Sequence, residues 1–255
     1  ICLNMQMETV VEEIDTKNKR LFYRRVNSKK TKLALYDKLI FATGSYPAMT
    51  SVPFDKKSKL YFLKSMDDAI KTDEFLKTAK NIAVIGGGMT GVEVARIAQE
   101  RGIQTTLIHR NKNLLNYYLD EPASHLLESW MNAEGTRLLL NTEVTEIGFD
   151  EENTIIQTAN GQKIPVDGVI FTIGFRPNSY LLNQQVELGD SGAVIVYEYM
   201  QTSCPDVFAV GDVSTTYVNL LEKSYYLPHA SDAVRDGEIA AINLLATRQK
   251  INSSQ

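Results

Sequence analysis

The stretch NIAVIGGGMTGVEVARIAQERGIQTTLIHR, residues 81 to 110, decides the fold of this chain. It opens with Ile82 to Ile85, a short β-branched apolar run that is typical of a buried parallel strand. A glycine turn and a helical pattern follow, Gly102 closes the helix, and Thr105 to Ile108 forms a second buried strand. Strand, glycine turn, helix and strand in this order predict the crossover unit that binds a dinucleotide.

Three glycines of the turn, Gly86, Gly88 and Gly91, have the Gly-x-Gly-x-x-Gly spacing of a dinucleotide fingerprint. The first permits a tight turn, the second lets the backbone approach a pyrophosphate, and the third allows the helix to pack closely on the strand. The N-terminus of the helix then offers unpaired N–H groups to the phosphates. A Gly-rich loop can show this spacing without any ligand, but its place between a strand and a helix favours a nucleotide site.

The end of the second strand indicates which nucleotide is bound. An NAD-type site has Asp or Glu there to accept hydrogen bonds from the ribose hydroxyls. This chain instead has His109 and Arg110, followed by Lys112. No carboxylate is present to repel a 2′-phosphate and Arg110 can pair with one, so these residues favour NADPH over NADH. The alternative is a solvated basic loop beside a site that is indifferent to the phosphate.

A second feature is an internal repeat. YDKLIFATGSYP, residues 36 to 47, is nearly restated as VDGVIFTIGFRP, residues 166 to 177, with matching Asp, Ile-Phe, Gly and Pro at one constant offset. Each copy is an apolar strand that ends in small residues, Ala42-Thr43-Gly44 in one and Gly174 in the other, where a backbone can pass close to a ligand. Coincidence between apolar strands is one explanation. The other, a duplicated unit, predicts two Rossmann-like folds.

The C-terminal third contains a further strand and helix. Val207 to Val210 reads as a buried strand, and Gly211-Asp212 follows it directly. A carboxylate just beyond the end of a parallel strand lies where ligands bind in open α/β sheets, although Asp is also common in turns and helix caps. A helix is predicted from Pro228, or just after it, to about Ala246, and its positive end can face a second ligand.

Together these motifs resemble the pyridine nucleotide-disulfide oxidoreductases, and most of all the branch of NADH oxidase, NADH peroxidase and coenzyme A-disulfide reductase. The motifs that carry the resemblance are ATG at 42–44, the glycine fingerprint, IGFRPN at 173–178, the stretch 202–212, and YYLPHASDAVRDG at 225–237. They occur in order over nearly the whole chain. The resemblance implies an FAD-binding domain in two segments, residues 1–47 and 173–255, with an NAD(P)H-binding domain, residues 48–172, inserted between them.

The resemblance also implies roles for single residues on the FAD side. Asp212 would bind the ribityl chain of the flavin, and the helix after Pro228 would face the flavin ring. His229 lies near that expected face, although an exposed histidine with no role is the alternative. The residues implied to lie near FAD are Ala42, Thr43, Gly44, Gly211, Asp212, Pro228, His229 and Ala230.

On the nicotinamide side, Glu93 resembles a family glutamate close to the flavin and the nicotinamide, which makes it the one possible catalytic residue. Its alternative is an ordinary carboxylate in the first turn of a helix. Met89 stands where many relatives have a gating Tyr, which puts gating in doubt. The residues predicted or implied to bind NAD(P)H are Gly86, Gly88, Met89, Gly91, Glu93, His109, Arg110, Lys112 and Gly174.

The family pattern also has parts that these residues do not supply. Because the chain opens at Ile1 in what reads as a strand, we expect the first FAD unit and the redox-active cysteine upstream, with Cys2 and Cys204 passive. A C-terminal domain that makes the parent protein a homodimer is expected downstream. We expect this chain alone to bind FAD poorly and to catalyse nothing. The parent would pass hydride from NAD(P)H through the flavin to oxygen, peroxide or a disulfide such as coenzyme A disulfide. The alternative is a non-catalytic nucleotide-binding module.

Composition limits the function classes further. A net charge of −4 and a pI near 5.5 give no electrostatic footprint for nucleic acid. No apolar run approaches the roughly 20 residues that a membrane helix needs. Two widely separated cysteines suggest neither a disulfide framework nor a metal site. We therefore expect a cytoplasmic protein that acts on a small molecule, without a nucleic-acid or membrane partner.

The expected fold class is α/β: two Rossmann-like three-layer nucleotide-binding domains, with the NAD(P)-binding domain inserted into the FAD-binding domain. Residues 142–164 alternate like short exposed strands, with Asn160-Gly161 as a hairpin turn. Residues 65–80 read as one or two surface helices. Ser65 is the expected N-cap, and Asp68 stands three residues on as in a capping box.

Overall fold

A computed structural model describes residues 4–218 and 221–244. The chain divides into two compact units. We call Pro47–Phe175 the central unit, and Ile1–Tyr46 with Arg176–Gln255 the split unit. Strands β5 (Ser45–Pro47) and β14 (Phe175–Pro177) lie where the chain passes from one unit to the other. The assignment of FAD to residues 1–47 and 173–255, and of NAD(P)H to residues 48–172, stays a prediction.

The central unit is built on a parallel sheet of five strands. The order of the strands places the last strand of the unit beside the strand that enters the glycine turn, and all neighbours are parallel. In spatial order the strands are β6 (Leu60–Phe62), β13 (Gly168–Phe171), β7 (Asn81–Ile85), β8 (Gln104–Ile108) and β9 (Arg137–Leu139).

Three helices and a second sheet complete the central unit. The helices are α1 (Met66–Leu76), α2 (Met89–Glu100) and α3 (Glu121–Ala133). The second sheet is antiparallel and consists of β10 (Val144–Asp150), β11 (Asn153–Thr158) and β12 (Lys163–Val166), so the predicted strands in residues 142–164 are confirmed.

The alternation of side chains along β7 explains why the central unit has three layers. Ile82 and Val84 are fully buried in a core shared with Ala95 and Ala98 of α2. Ala83, between them, points to the other face and joins a core with Ile147 of the antiparallel sheet. Because successive side chains of a strand point to opposite faces, one apolar run supports two cores. The parallel sheet therefore lies between helices on one side and the antiparallel sheet on the other.

Helix α1 begins as the sequence predicts. The Ser65 hydroxyl accepts a hydrogen bond from the Asp68 amide at 3.1 Å, and the Asp68 carboxylate accepts one from the Ser65 amide at 2.9 Å. This reciprocal pair is a capping box, which satisfies backbone donors that the helix itself cannot reach. The hydrogen bond from the Ser65 amide, and next the Ser65 side chain, lower the pKa of the Asp68 carboxyl group.

Replacing this cap should cost a measurable part of the stability of the central unit. We expect Ser65→Ala to lower the free energy of unfolding by about 1 kcal/mol, because the Asp68 amide loses its acceptor. The measurement is urea denaturation followed through Trp130 fluorescence. Ser51→Ala removes an exposed serine hydroxyl in the same unit and is the matched control. Equal stability of the two variants would show that the box contributes nothing.

The split unit combines an antiparallel sheet, a parallel pair and a long helix. The sheet consists of β1 (Thr9–Asp15), β2 (Arg20–Arg25) and β3 (Lys32–Leu35). The parallel pair is β4 (Leu39–Phe41) with β15 (Val207–Ala209). An antiparallel pair of strands, β16 (Thr216–Val218) and β17 (Lys223–Tyr225), precedes helix α4 (Ala230–Leu244). Their common core includes Ile14, Phe41, Phe208 and Ile239.

The internal repeat has a structural counterpart. β4 and β13, the strands of the two copies, each pair in parallel with another strand of their own unit. Each is followed by a glycine in the left-handed region, Gly44 at φ +67° and Gly174 at φ +100°. A side chain is strained in that conformation, which explains why both copies retain glycine at this point. The expected α/β fold class is confirmed.

Two details of the sequence prediction lie at or beyond the described residues. Helix α4 starts at Ala230, two residues after Pro228, and the predicted end near Ala246 lies outside the described range. Cys2 also lies outside it. Within residues 4–218 and 221–244, no helix combines the length and the apolar character needed to cross a bilayer. The same residues contain no group of His, Cys, Asp and Glu arranged to hold a metal ion.

Candidate functional site

The glycine turn begins where β7 ends, and steric limits decide its residues. Gly86 has φ +119°, and a Cβ there would lie 2.4 Å from the Thr172 carbonyl oxygen. A Cβ on Gly91, in the first turn of α2, would lie 1.8 Å from the Gly86 carbonyl oxygen. Both positions are therefore closed to side chains by the protein's own backbone, which agrees with the turn and packing roles predicted for them.

Gly88 differs from its neighbours because nothing in the protein excludes a side chain there. It is the N-cap of α2, with φ −81°, and a Cβ would find no heavy atom within 4 Å. Among the described residues, no side chain caps this helix end. The first amides of α2 therefore have no side-chain acceptor, and the space beside Gly88 is open, a combination that fits a phosphate group at a helix N-terminus. The residues present therefore fit a dinucleotide.

Thr172 holds the turn from the adjacent strand and was not identified from the sequence. Its hydroxyl lies 3.1 Å from the Ile85 carbonyl oxygen and 3.0 Å from that of Gly86, as donor to this pair of acceptors. Its amide donates to Ile85 at 2.8 Å. The available signal was its place two residues before Gly174, at the carboxyl end of a strand predicted to be parallel. Its hydroxyl fixes the point at which the chain leaves β7.

His109 lies at the end of β8, as predicted, but its side chain is bonded to the glycine turn. The Gly87 amide donates to His109 Nδ1 at 3.0 Å, and Nε2 lies 3.3 Å from the Asn116 side-chain oxygen. Burial lowers the pKa of His109, and the charge of Arg110 lowers it further, against opposing effects of Asn116 and Glu128. The structure thus shows that His109 accepts a hydrogen bond from the glycine turn. Contact of His109 with the nucleotide stays a prediction.

The two other basic residues of this loop differ from each other. Lys112 forms a salt bridge with Glu121 at the start of α3, and this hydrogen bond raises the pKa of Lys112. The pair is exposed and worth little to stability, but it gives the lysine a carboxylate partner. Arg110 is exposed and has no hydrogen-bond or ion-pair partner among the described residues. Of the predicted phosphate contacts, Arg110 is therefore the cation with no competing carboxylate.

The remaining residues predicted for NAD(P)H lie around the start of α2 and after β13. Met89 is the first residue of α2 and is 48% exposed, so its side chain does not fill a core position. Glu93 is exposed on the same helix. Its alternative role as a first-turn carboxylate is wrong, because the first turn of α2 contains no acidic residue. Gly174 follows β13 in the left-handed conformation.

Two of the residues predicted for FAD, Gly211 and Asp212, lie in a short 3₁₀ turn, Gly211–Val213, in the split unit. Asp212, in this turn, accepts a hydrogen bond from the Ser45 hydroxyl at 2.8 Å. Gly211 has φ +70°, and a Cβ there would lie 3.2 Å from the Ala233 Cβ of α4, so helix and turn are closely packed. This packing brings the predicted carboxylate and the predicted helix together.

Tyr226 lies near Asp212 and was not identified from the sequence. Its hydroxyl oxygen is buried and has no partner in good hydrogen-bond geometry within the described part of the chain. Burial, and next the negative charge of Asp212, raise the pKa of Tyr226 to about 12, against the opposing effects of the Ser45 side chain and of Arg176. A buried donor without an acceptor is uncommon in proteins. Beside a carboxylate it fits a ligand with hydroxyl groups, as the ribityl chain of FAD has, because a hydroxyl both donates and accepts.

The other residues of this group have contacts within the protein. The Thr43 hydroxyl donates to the Asn178 carbonyl at 2.7 Å, and the Asn178 amide donates to the Gly44 carbonyl at 2.9 Å. Ala42 is exposed at the end of β4. His229 is exposed, with Nδ1 2.8 Å from the Ser231 hydroxyl, just before α4 begins at Ala230. These contacts order the strand end and the helix start where the ligand was predicted.

Comparison with known proteins gives the context for this geometry. Residues 3–237 match the family model described as pyridine nucleotide-disulphide oxidoreductase. An NADH oxidase of Enterococcus faecalis is 36% identical over 248 residues, which is 97% of this chain and 55% of that protein. The chain thus spans about half the length of the curated relatives that it matches.

Solved structures agree with the sequence relatives. A water-forming NADH oxidase from Lactobacillus brevis, bound to NADH, has a TM-score of 0.90 at 29% identity, over 96% of this chain and 54% of its own. An NAD-dependent persulfide reductase from A. fulgidus has a TM-score of 0.89 at 28% identity, over 96% of this chain and 45% of its own. These names refer to NADH or NAD, so the comparisons do not support the predicted preference for NADPH.

Proposed function

The chain belongs to the pyridine nucleotide-disulphide oxidoreductase family, and on this basis we propose that the protein containing it is a flavin-dependent oxidoreductase that uses NAD(P)H. The observation that carries the proposal is the open, uncapped helix start at Gly88, next to two glycines that the backbone closes to side chains.

The residues of the chain divide the work between the two units. In the central unit, the amides at the start of α2 bind the diphosphate of the dinucleotide, and Thr172 holds the turn in place. In the split unit, Ser45 orients the Asp212 carboxylate toward a ligand hydroxyl. When bound, the flavin would supply the capacity to accept a hydride and pass electrons onward.

The electron acceptor is the finer part of the proposal. Oxygen or peroxide is one class, supported by the NADH oxidases among the relatives, and a disulfide or persulfide is the other, supported by the persulfide reductase. Either class of acceptor would be reduced through a redox cysteine that we expect upstream, and the two classes differ in the reaction partner of that cysteine. We further propose that the complete protein is a homodimer in the cytoplasm. A nucleotide-binding module without turnover is the alternative function, and recovery of a cysteine and a flavin unit upstream decides against it.

Titration of the purified chain with NADH and with NADPH tests the proposed function. We expect saturable binding of a reduced dinucleotide at a single site, measured by calorimetry. The relatives favour NADH, whereas the end of β8 offers an exposed arginine and no carboxylate. If Arg110 binds the 2′-phosphate, Arg110→Ala should weaken NADPH about tenfold and leave NADH unchanged.

Arg137→Ala is the matched control, because Arg137 is exposed at the start of β9. Wild-type affinity for NADH equal to or above that for NADPH would remove Arg110 from its proposed role. Failure of both nucleotides to bind would overturn the proposal for the central unit.

A further inference from the structure

The residues around Gly87 hold both of its backbone groups. Its amide donates to His109 Nδ1 at 3.0 Å, and its carbonyl accepts from the Leu115 amide at 2.9 Å. A Cβ on this buried glycine would lie 2.7 Å from His109 Cγ and 2.6 Å from Leu114 Cδ2. The loop after β8 therefore holds Gly87, in the middle of the glycine turn, through two hydrogen bonds and through close packing.

The hydrogen bonds also determine the protonation state of the imidazole. An N–H group donates to Nδ1, so Nδ1 carries no proton, and the neutral ring then carries its proton on Nε2. Nε2 can donate to the Asn116 side-chain oxygen, which lies 3.3 Å away. The backbone of His109 is held as well. Its amide donates to the Leu139 carbonyl and its carbonyl accepts from the Thr142 amide, both at 2.9 Å.

We propose that His109 is a positioning residue that holds the glycine turn ready for the dinucleotide, as a neutral hydrogen-bond acceptor where related sites place a carboxylate. This inference rests on the proposed function, since it concerns the same nucleotide site. A neutral acceptor satisfies the Gly87 amide and adds no negative charge beside the adenosine ribose. The identity of residue 109 thus sets both the order of the turn and the electrostatic potential that a 2′-phosphate meets.

The arrangement makes binding depend on pH in a defined direction. Protonated Nδ1 cannot accept a hydrogen bond from the Gly87 amide, so this contact with the glycine turn is lost when the ring is an imidazolium. The groups that act on the ring are Arg110 in the same loop, Glu128 on α3 and the Asn116 amide, and burial is the largest effect. Because the net effect lowers the pKa of His109, nucleotide affinity should be constant near neutrality and fall only below about pH 6.5.

Two variants separate this role from a merely structural one. His109→Phe keeps an aromatic ring but removes the hydrogen-bond acceptor. It should weaken nucleotide binding about tenfold at neutral pH and abolish the fall in affinity at acid pH. His109→Asn places an oxygen near the position of Nδ1. It should bind the nucleotide with wild-type affinity, and this affinity should not fall at acid pH. His125→Phe, at an exposed histidine of α3, is the matched control and should behave as wild type.

A third variant tests the charge. His109→Asp puts back an acceptor together with a negative charge, so it should weaken NADPH at least about tenfold more than NADH. All binding is measured by calorimetry on the whole chain between pH 5 and pH 8. Wild-type affinity and an unchanged pH profile for His109→Phe would overturn the proposal, as would equal losses of NADPH and NADH for His109→Asp.

Nitrogen-15 spectra of the histidine rings in the wild-type chain decide the question even where a variant fails to fold. We expect His109 to show a proton on Nε2 and none on Nδ1 at pH 7.5. A proton on Nδ1 would overturn the proposal. If the spectra show the expected proton on Nε2 but no dinucleotide binds to the wild type, the proposed function is wrong, whereas the hydrogen bond from the Gly87 amide to His109 is still correct.

Discussion

Gly91→Val is expected to lower the free energy of unfolding of the central unit by about 3 kcal/mol. The reason is steric: a Cβ at this position would lie 1.8 Å from the Gly86 carbonyl oxygen and 2.7 Å from the Thr172 hydroxyl. Relief requires that α2 move away from β7, which would open the core around Val84 and Ala95. Urea denaturation followed through Trp130, the single tryptophan of the chain, measures this unit directly.

Gly88→Val is the matched control, because the same side chain enters open space there. We expect its stability to fall by no more than about 1 kcal/mol, because valine is a poorer N-cap than glycine but meets no atom of the protein. Its nucleotide affinity should nevertheless be lost, because the valine occupies the space beside the first amides of α2 where the diphosphate is proposed to bind. Comparable stability of the two variants would show that the helix and strand are not as close as the structure has them. Intact binding by Gly88→Val would instead remove the diphosphate from this helix end.

The contrast between these glycines shows which parts of the structure could be predicted from the sequence. The turn was predictable because most of its requirements are local: a strand end, the positive φ of Gly86, the close contact of Gly91 with the Gly86 carbonyl and a helix start all lie within a few residues. The capping box of Ser65 and Asp68 was predictable for the same reason. The internal repeat was predictable because two copies of one strand and turn must meet the same backbone restriction.

The contacts made by side chains from distant elements could not be predicted in the same way. Thr172 reaches the turn only because β13 pairs with β7, and that pairing depends on the strand order of the sheet. His109 was recognised as the residue that replaces a carboxylate, but not as a partner of Gly87, since the direction of its ring depends on the loop that follows. Tyr226 lies in the stretch 225–237 that carries the family resemblance, but nothing in the sequence singled it out, because its burial near Asp212 depends on the fold.

Asp236→Asn is expected to stabilise the split unit by about 2 kcal/mol at pH 7.5. Asp236 lies on α4 and is 1% exposed, and its Oδ1 has no hydrogen-bond partner among the described residues. The guanidinium of Arg235 is 3.6 Å away, too far for a good hydrogen bond. Burial first, and then the negative charge of Asp232, raise the pKa of Asp236 to about 6 against the opposing effects of Arg235 and the Gly211 amide. The wild type therefore holds a poorly compensated buried charge at neutral pH.

The pH dependence gives this prediction its sharpest test. The folded-state pKa of Asp236, about 6, lies above its ordinary value of 3.8, so the folded chain binds a proton more tightly than the unfolded chain does. The protonated group costs nothing near pH 4, and the cost of its charge grows as the pH rises toward 6 and is constant above that. The advantage of Asp236→Asn over wild type should consequently be near zero at pH 4 and complete by about pH 7. Carboxylates with lowered pKa values elsewhere, such as Asp206, act in the opposite direction but equally in both proteins.

Hydrogen exchange of the α4 amides, measured at several pH values, reports on the helix that carries Asp236. Asp190→Asn, which neutralises an exposed carboxylate of the same unit, should shift the exchange little at any pH. An advantage of Asp236→Asn that did not change with pH would mean that the charge is compensated and that the amide merely packs better. A loss of stability in Asp236→Asn at pH 7.5 would mean that the carboxylate binds a donor which the amide cannot replace. The Gly211 amide is such a donor to the Asp236 carboxylate. Because Gly211 and Asp212 belong to the same 3₁₀ turn, loss of this bond would also change the position of Asp212.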